Sequence, residues 1–543
     1  MVRKLWIVLL ALIPLAWAQQ CPATGGTATL AQWSEPGNLN PLIFPTTYDT
    51  NVQELVFSSL IRTTSDLAFE PDLAESWTFS DDQTKITFTL RPGLTWHDGA
   101  PLTAEDAAFT LRSLMEPTYD GGSYADVSII EGAEAYRSGE AADVSGIRVL
   151  DDVTLELTMS EPFAPALANL AGIRILPEHV YGKVDVARWQ QDATNRNPLG
   201  SGPYRFVEWR PGELIALEAF DGYYAGRPCL DRILIRFGDQ DTMLAALLSG
   251  EVDVAQVPIN SVKSVEGRAD VVLDAVDSLS FQYLGFNLRN AALAELPVRQ
   301  AIAAAINRQA LVDGLLRGYG RALDTILPTN HWSYPQDVAP IVYDVERAAE
   351  LLEEAGWRLQ DGVRTKNGRK LSFTLYFPTG NQIRERSAPI IQANLKQVGI
   401  ELELQAMDFA TLVTHLLPKD AQGVPRAVEA GDFDMFLLGF GVERDPDEYF
   451  SYFVAEGFPP NGYNFTGYTD PEVEVLLREG RTVLDVAARE APYQEFGRIA
   501  RDQLPWVPLY QPQDLFAHRT RLHGFSPDIR GVNPNAERWW VEK

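Results

Sequence analysis

Between Phe69 and Leu114 the order of residues leaves little freedom in local structure. Trp77 and Phe79 alternate with Ser76, Thr78 and Ser80. A polar turn follows at Asp81-Asp82-Gln83, and then Ile86, Phe88 and Leu90 alternate with Lys85, Thr87 and Thr89. Apolar residues spaced by two on either side of a short polar turn predict a hairpin with one apolar face. Pro92-Gly93 and Asp98-Gly99 punctuate the chain next. Thr103, with Asp106 three residues on, then opens a helix whose Phe109, Leu111 and Leu114 face inward. None of these residues points to catalysis.

With 543 residues the chain exceeds what one core can hold, and length alone implies about three or four domains. Hydrophobic residues make up 45% and charged residues 22%, which excludes both a disordered chain and a membrane-embedded body. The formal charge of −28 comes without a long basic run. Nucleic acid is therefore not an expected partner, since neutralising phosphates needs clustered Lys and Arg. A soluble acidic surface that resists aggregation accounts for the charge.

The first residues carry an address. Arg3 and Lys4 precede an apolar run over 5–15, and Ala16-Trp17-Ala18 supplies small residues at the −3 and −1 positions of a signal-peptidase site. Residues 1–18 are expected to be a signal peptide cleaved before Gln19. A retained anchor is disfavoured because the apolar run is shorter than the roughly 20 residues that cross a bilayer. Lipidation of Cys21 is disfavoured because Ala18-Gln19-Gln20 lacks the small residue expected beside the cysteine. Cys21 and Cys229 are the two cysteines, and both fall in the exported portion, where pairing and free thiols are both open. Six scattered histidines, with no HExxH and no paired CxxC, leave no recognisable metal site.

Along the rest of the chain, strands are predicted at 27–33, 146–150, 153–159, from 204 up to the turn at 210–212, and at 214–219, 231–237 and 252–257. Helices are predicted at 51–60 and at 241–250, where a glycine ends the run. Beyond residue 290, helices at 298–307, 308–316, 346–355, 384–398, 472–484 and 490–503 alternate with strands at 371–377, 401–407 and 433–439. The strand, helix and strand spanning 371–407 read as a βαβ unit, because parallel strands need such a crossover. No internal repeat is present.

Several stretches resemble the extracytoplasmic solute-binding proteins of family 5, the dipeptide- and oligopeptide-binding components of ABC importers. The signature region there runs LAExW, a polar turn, TFxLR, a Pro/Gly turn, then HDGxPxTAxD. Here it is matched by Leu73-Ala74-Glu75 with Trp77, by Thr87-Phe88 with Leu90-Arg91, and by His97-Asp98-Gly99, Pro101, Thr103-Ala104 and Asp106. Gly200-Ser201-Gly202-Pro203-Tyr204 followed by Phe220-Asp221-Gly222-Tyr223-Tyr224, Pro228 and Leu230-Asp231 is similar to the family's GTGPY strand and hairpin. Phe286-Asn287 through Pro297-Val298-Arg299 to Ile306-Asn307-Arg308 matches a third stretch, and Asn464-Phe465-Thr466-Gly467-Tyr468 with Asp470-Pro471 a fourth. The matches follow the family's order over most of the mature chain.

The resemblance implies an α/β, two-lobed periplasmic-binding-protein fold of the type II, Venus-flytrap kind, with an extra domain inserted in the first lobe. Transferred here, the first lobe combines 19–54, 200–284 and 513–543. The inserted domain is 55–199 and the second lobe 285–512. The resemblance places Cys21 and Cys229 in one domain and so favours a disulfide. In the chain-entropy model, closing that loop stabilises by at most roughly 5 kcal/mol. It also implies a periplasmic monomer that captures a peptide and hands it to a membrane ABC permease, with no cofactor, no metal and no chemistry of its own.

A cleft between lobes would bury the ligand, with contacts to both lobes favouring closure. The family's ligand-facing segments correspond here to 45–48, 283–287, 377–381, 438–445 and the loop before Tyr468. The candidate ligand residues are Thr46, Thr47, Tyr48, Tyr283, Asn287, Trp332, Phe377, Asn381, Phe440, Glu443, Asp445 and Asn464. Trp332 is nominated for stacking because a large aromatic is unusual in the turn-rich 330–335. Core positions remain open for Tyr48 and Tyr283, and turn or cap roles for Asn287 and Asn464.

One departure stands out. Peptide-binding members hold the peptide ammonium with an aspartate shortly before a DPD-like turn, and Val442 falls at that place in Gly439-Phe440-Gly441-Val442-Glu443-Arg444-Asp445-Pro446-Asp447. Glu443 or Asp445 is the expected substitute, because a buried cation needs a carboxylate. Arg384 and Arg386 are candidates for the peptide carboxylate. An oligosaccharide or another non-peptide solute is the alternative cargo. A secreted hydrolase is the competing class, against which stands the absence of a GxSxG elbow, a zinc-binding helix and a histidine-flanked cysteine.

Overall fold

The computed structural model describes residues 21–542. The expected signal peptide and its cleavage site after Ala18 lie outside the described residues.

A mixed sheet of twelve strands runs through both lobes. Its centre is the fourteen-residue strand Trp506–Arg519. The first part of that strand pairs antiparallel with Ser280–Phe286 and Gly320–Ala322, and the second part with Val271–Asp277 and Val254–Gln256. On one side the sheet continues through Met435–Gly441 to Ser372–Pro378 and Glu401–Met407. On the other it continues through Thr27–Gln32 to Arg232–Phe237, Leu214–Ala219 and Tyr204–Arg210. Two chain crossings thus link the lobes, one at 277–280 and one near Pro512. The expected lobe division at 284 falls inside Ser280–Phe286, which pairs along its length with Met435–Gly441 and with the first part of Trp506–Arg519.

The expected βαβ unit is present. Ser372–Pro378 and Glu401–Met407 are parallel partners joined by the helix Gln382–Gln397, which buries Ala388, Ile391 and Leu395 at helical spacing against the sheet. The hairpin at 74–90 forms with Thr154–Thr158 and Ile147–Asp151 a separate four-stranded antiparallel sheet. Ile86, Phe88, Leu155 and Leu157 are buried beside the helix Ala104–Met115, which starts at the capping box of Thr103 and Asp106. The Asp106 carboxylate accepts from the Thr103 N–H at 2.9 Å and the Glu178 N–H at 2.9 Å. A cap expected to serve one helix therefore also docks the short helix Glu178–Tyr181.

Two motifs meet where this small sheet joins the first lobe. The His97 N–H donates to the Gly200 carbonyl at 3.0 Å, and its Nε2 lies 3.0 Å from the Gly202 carbonyl. The Gly200 N–H approaches Nδ1 at 3.4 Å, which suits the tautomer with the proton on Nε2. Gly202 N–H in turn donates to the Val56 carbonyl at 2.8 Å. A Cβ at Gly200 would lie 1.9 Å from that same carbonyl, so the approach admits only glycine.

Some elements depart from expectation. The helix expected at 51–60 is Thr47–Val56, opened by a capping box of Thr46 and Asp49 and ended where Gly202 takes the Val56 carbonyl. Ile61–Thr63 is a strand instead. Val271–Asp277, Ser280–Phe286, Trp506–Arg519 and the helices Phe409–Leu416 and Glu448–Phe453 were not anticipated by periodicity. Cys21 and Cys229 form a disulfide with a Cα separation of 5.5 Å.

His97 is 8% exposed, and burial holds its imidazole down to about 4. Below about pH 6.5 the unfolded chain takes up a proton that the folded protein refuses until about pH 4. The His97 contribution is therefore present in full above 6.5 and drains away as the pH falls to 4. Wild type should lose about 2 kcal/mol more stability than His97→Gln between pH 7 and pH 5, measured by denaturant unfolding. Parallel pH profiles would show that His97 is not responsible.

Candidate functional site

The loop that leaves the strand Met435–Gly441 is held from below. Val442 is buried, and Asp445 forms a two-pronged ion pair with Arg489, its oxygens 2.6 and 2.7 Å from the guanidinium. The Arg489 guanidinium lies 5.3 Å from the Trp332 ring centre. Asp447 is gripped by Arg481 through two contacts of 2.8 Å. With Val442 and Asp445 turned inward, Glu443 and Arg444 project to the other side. The Glu443 N–H donates to Glu448 Oε1 at 2.8 Å, and the Glu443 carboxylate is 76% exposed.

Across from this loop stand the helix Thr47–Val56 with Glu54, the short helix Tyr124–Val127 with Asp126, and the helix Ala166–Gly172 followed by Arg174. Arg174 binds Glu54 at 3.2 Å and Ser59 Oγ at 3.1 Å. The lobes touch: the Ala164 N–H donates to the Arg481 carbonyl at 2.8 Å, and the Arg481 guanidinium is 5.5 Å from the Phe163 ring centre. Between them lies a cavity of about 860 Å³, walled by 41–54 and 123–174 on one side and by 443–448 with Arg481 on the other. A second cavity of about 490 Å³ lies beside the crossings, lined by Thr47, 277–280, 441–444, Asp514, Phe516 and 528–531. A small chamber of about 90 Å³ lies among Glu54, Arg174, Arg444 and Arg530. The two larger volumes are of the size that buries a small ligand.

The cleft is electrostatically tense. Burial, followed by the Glu443 charge, pushes the Asp126 carboxyl up to about 6. Burial pushes Glu448 up to about 8, with the charges of Glu443, Asp445 and Asp447 adding to it and the Glu443 N–H opposing. Glu54 is raised by burial against the opposing charges of Arg174, Arg444 and Arg530. Burial lowers the Arg444 guanidinium. Such a site favours a ligand that brings positive charge to the carboxylates and leaves no guanidinium without a partner.

Of the residues named from sequence, Thr47 and Glu443 line the cleft with polar groups free to meet a ligand. Asp445 borders it but is committed to Arg489. Thr46 is the N-cap of Thr47–Val56, Asn381 caps Gln382–Gln397, and Tyr48 is half-buried. Six expectations need correction. Tyr283 and Phe440 are buried in an aromatic core around Trp506, Tyr283 stacking on it at 4.2 Å. Phe377 is buried in the core beneath the βαβ unit. Asn287 is fully buried, donating to the carbonyls of Glu429 and Phe433, and Asn464 likewise to those of Val454 and Tyr468. Trp332 is half-buried against Tyr493 and Arg489, supporting the Asp445 ion pair. Arg384 bonds Gln282 at 3.0 Å, and Arg386 is exposed. Sequence reasoning missed Glu54, Asp126, Arg174, Arg444 and Arg530. Arg444 alone had a local signal, as the immediate neighbour of Glu443.

Comparison with known proteins places this architecture. Residues 68–460 match the family described as bacterial extracellular solute-binding proteins, family 5 Middle, and the chain belongs to that family. It is 29% identical over 529 residues to the oligopeptide-binding protein AppA of Bacillus subtilis, covering 96% of this chain and 93% of the relative. It is 26% identical over 526 residues to the dipeptide-binding protein of Escherichia coli, covering 93% and 91%. The solved structure of Bacillus subtilis AppA in complex with a nonapeptide superposes with a TM-score of 0.74 at 28% identity, covering 96% of this chain and all of that one. These relatives are substrate-binding proteins, and the family is extracellular. No helix among the described residues is long and apolar enough to cross a membrane.

Because the Asp126 carboxyl titrates near 6 in the folded protein and near its ordinary 3.8 when unfolded, the folded state holds the extra proton between those values. Stability therefore falls as the pH rises through that window. Asp126→Asn should stabilise the ligand-free protein by on the order of 1 kcal/mol at pH 8, and the gain should shrink at pH 4. Unfolding curves with equal gains at both pH values would reject this assignment.

Proposed function

We propose that this chain is the extracytoplasmic solute-binding component of an ABC importer and captures a peptide, dipeptide or oligopeptide, in the cleft between its lobes. The observation that carries this reading is a ligand-sized cavity walled from both lobes, with Glu443 exposed on one wall and Asp126 facing it. The peptide ammonium is assigned to Glu443, which stands one residue beyond the inward-turned Val442. The names of the relatives, oligopeptide- and dipeptide-binding, favour a peptide cargo. In this reading residues 1–18 are a signal peptide removed after Ala18, and the mature protein works as a periplasmic monomer. It hands its cargo to a membrane permease without chemistry or cofactor of its own.

The lobes are assigned as 19–54 with 200–284 and 513–543, and as 285–512, with 55–199 as the inserted domain. The strand pairing favours moving the first crossing to 277–280. Cleft closure is assigned to rotation about the two crossings, which are tied together by the Ser278 N–H donating to the Pro512 carbonyl at 3.1 Å and by Gln511 Nε2 donating to the Ser278 carbonyl at 2.6 Å. The second reading, an oligosaccharide or other solute in the same importer role, is favoured by Val442 standing in place of the ammonium-binding aspartate.

Native purification followed by denaturation and mass spectrometry of released small molecules tests the cargo. A ladder of short peptides is expected, and a sugar or other solute would overturn the peptide reading. Saturating ligand should compact the protein in small-angle scattering and raise its melting temperature. Equal dimensions with and without ligand would contradict lobe closure. Glu443→Ala should weaken a ligand carrying a free amine by about 2 to 5 kcal/mol, while a loss below about 0.5 kcal/mol, the scale of a surface pair, removes Glu443 from the site.

A further inference from the structure

Arg444 differs from every other arginine of the cleft. Arg174 has Glu54 and Ser59, Arg481 has both oxygens of Asp447, and Arg62 has Glu70 at 2.7 Å. Arg530 has both oxygens of Asp528 and the Thr63 carbonyl at 2.9 Å. Among the described residues the Arg444 guanidinium makes no hydrogen bond, and its single ion-pair contact is Glu443 at 3.7 Å. Its side chain is 32% exposed and lines the cleft rather than the outer surface. It borders all three cavities, and a Cβ at Gly172 of the opposite lobe would sit 3.5 Å from its Nη1. A guanidinium has five donors, and leaving them unmet in a partly dry site is costly.

The chamber of about 90 Å³ behind it is lined by four guanidinium groups, those of Arg62, Arg174, Arg444 and Arg530, against the three carboxylates of Glu54, Asp72 and Glu537. Glu54 and Asp72 are already engaged by the protein, Asp72 by the Ser59 N–H and the Tyr224 hydroxyl. The volume holds about three waters or one carboxylate, and no large side chain. We propose that Arg444, backed by Arg174 and Arg530, is an anion-binding subsite that takes a carboxylate of the bound solute. The two outward residues of one loop, Glu443 and Arg444, thereby read the two opposite charges of a dipolar ligand. This inference rests on the cleft being the solute site and deepens that reading by naming the second charge. It also moves the carboxylate contact away from Arg384, which is engaged by Gln282.

A peptide C-terminus and a non-peptide carboxylate share this chemistry, so the test separates them. Ligand-stripped full-length mature protein is titrated, by thermal shift and calorimetry, with Ala-Ala-Ala, with its C-terminal amide, with succinate and with the solute released from natively purified protein. The acid form should bind about tenfold or more tightly than the amide, the scale of a lost charge-assisted hydrogen bond. That preference should fall below about threefold in Arg444→Gln and be partly restored in Arg444→Lys, which keeps the charge but not the fork. The acid and amide comparison in wild type needs no variant. Amide and acid binding equally would overturn the subsite while leaving the peptide reading intact. Arg444-dependent binding of succinate, or of a released non-peptide acid, with no binding of either peptide form, would support the subsite and overturn the peptide reading. A panel in which no carboxylate stabilises wild type more than Arg444→Gln overturns the subsite.

Discussion

The strand Trp506–Arg519 is the constraint on which the rest of the molecule depends. One continuous strand pairs with second-lobe strands through Trp506 to Pro512 and with first-lobe strands from Gln513 onward. Proline at 508 and 512 removes two ladder donors, and the register with Ser280–Phe286 slips between Gln282 and Tyr283, opposite Pro508. A sheet that continued unbroken would make one rigid slab. A sheet whose central strand changes partners at a proline makes two slabs that share an axis. The first crossing, at 277–280, is hydrogen-bonded to that same point, so the two crossings are tied side by side. The cavity of about 490 Å³ lies against this axis and the larger one toward the mouth.

The character of the cleft follows from how one loop is anchored. Asp445 is buried, and a buried carboxylate is tolerated only when well paired. Arg489 supplies that pairing from the helix Val486–Gln503, and Trp332 and Tyr493 pack around the guanidinium. Once Asp445 and Asp447 are fixed inward by Arg489 and Arg481, the backbone has no choice about Glu443 and Arg444. The acid-rich turn that looks from sequence like a set of interchangeable carboxylates is thus divided. Two carboxylates hold the loop, and one faces the cleft.

What the sequence made legible was local. The hairpin at 74–90, the capping box at Thr103, the glycine ending the helix Gln240–Ser249 and the βαβ unit are each written in a few consecutive residues. Trp506–Arg519 was not, because its apolar residues run together and its prolines argue against a central strand, while its pairing depends on partners far away in sequence, from Val254–Gln256 to Gly320–Ala322. The site was legible as a set of segments and not as a set of residues. Asn287 and Asn464 were drawn in by position, but each spends its amide on two buried carbonyls. Glu54, Asp126 and Arg530 carry no local signal and become cleft residues only when distant segments converge.

The same charges explain why binding and closure belong to one process. With the lobes in contact, Asp126 faces Glu443 across the cavity, Glu448 lies behind it, and the Arg444 guanidinium has no hydrogen-bonding partner among the described residues. Opening the cleft would rehydrate all four groups and relieve the repulsion among the three carboxylates, a cost that opposes closure of the empty protein and that the attraction of Arg444 to Glu443 and Asp126 offsets only in part. A solute carrying an ammonium and a carboxylate meets both signs at Glu443 and Arg444, and with the lobes together its ammonium also meets Asp126 on the opposite wall. The differential affinity that any ligand-driven closure requires therefore resides in these side chains. A solute lacking one of the two charges would fill the cavity without removing the penalty of closing it, and discrimination between cargoes would appear in the population of the closed state as much as in the contacts themselves.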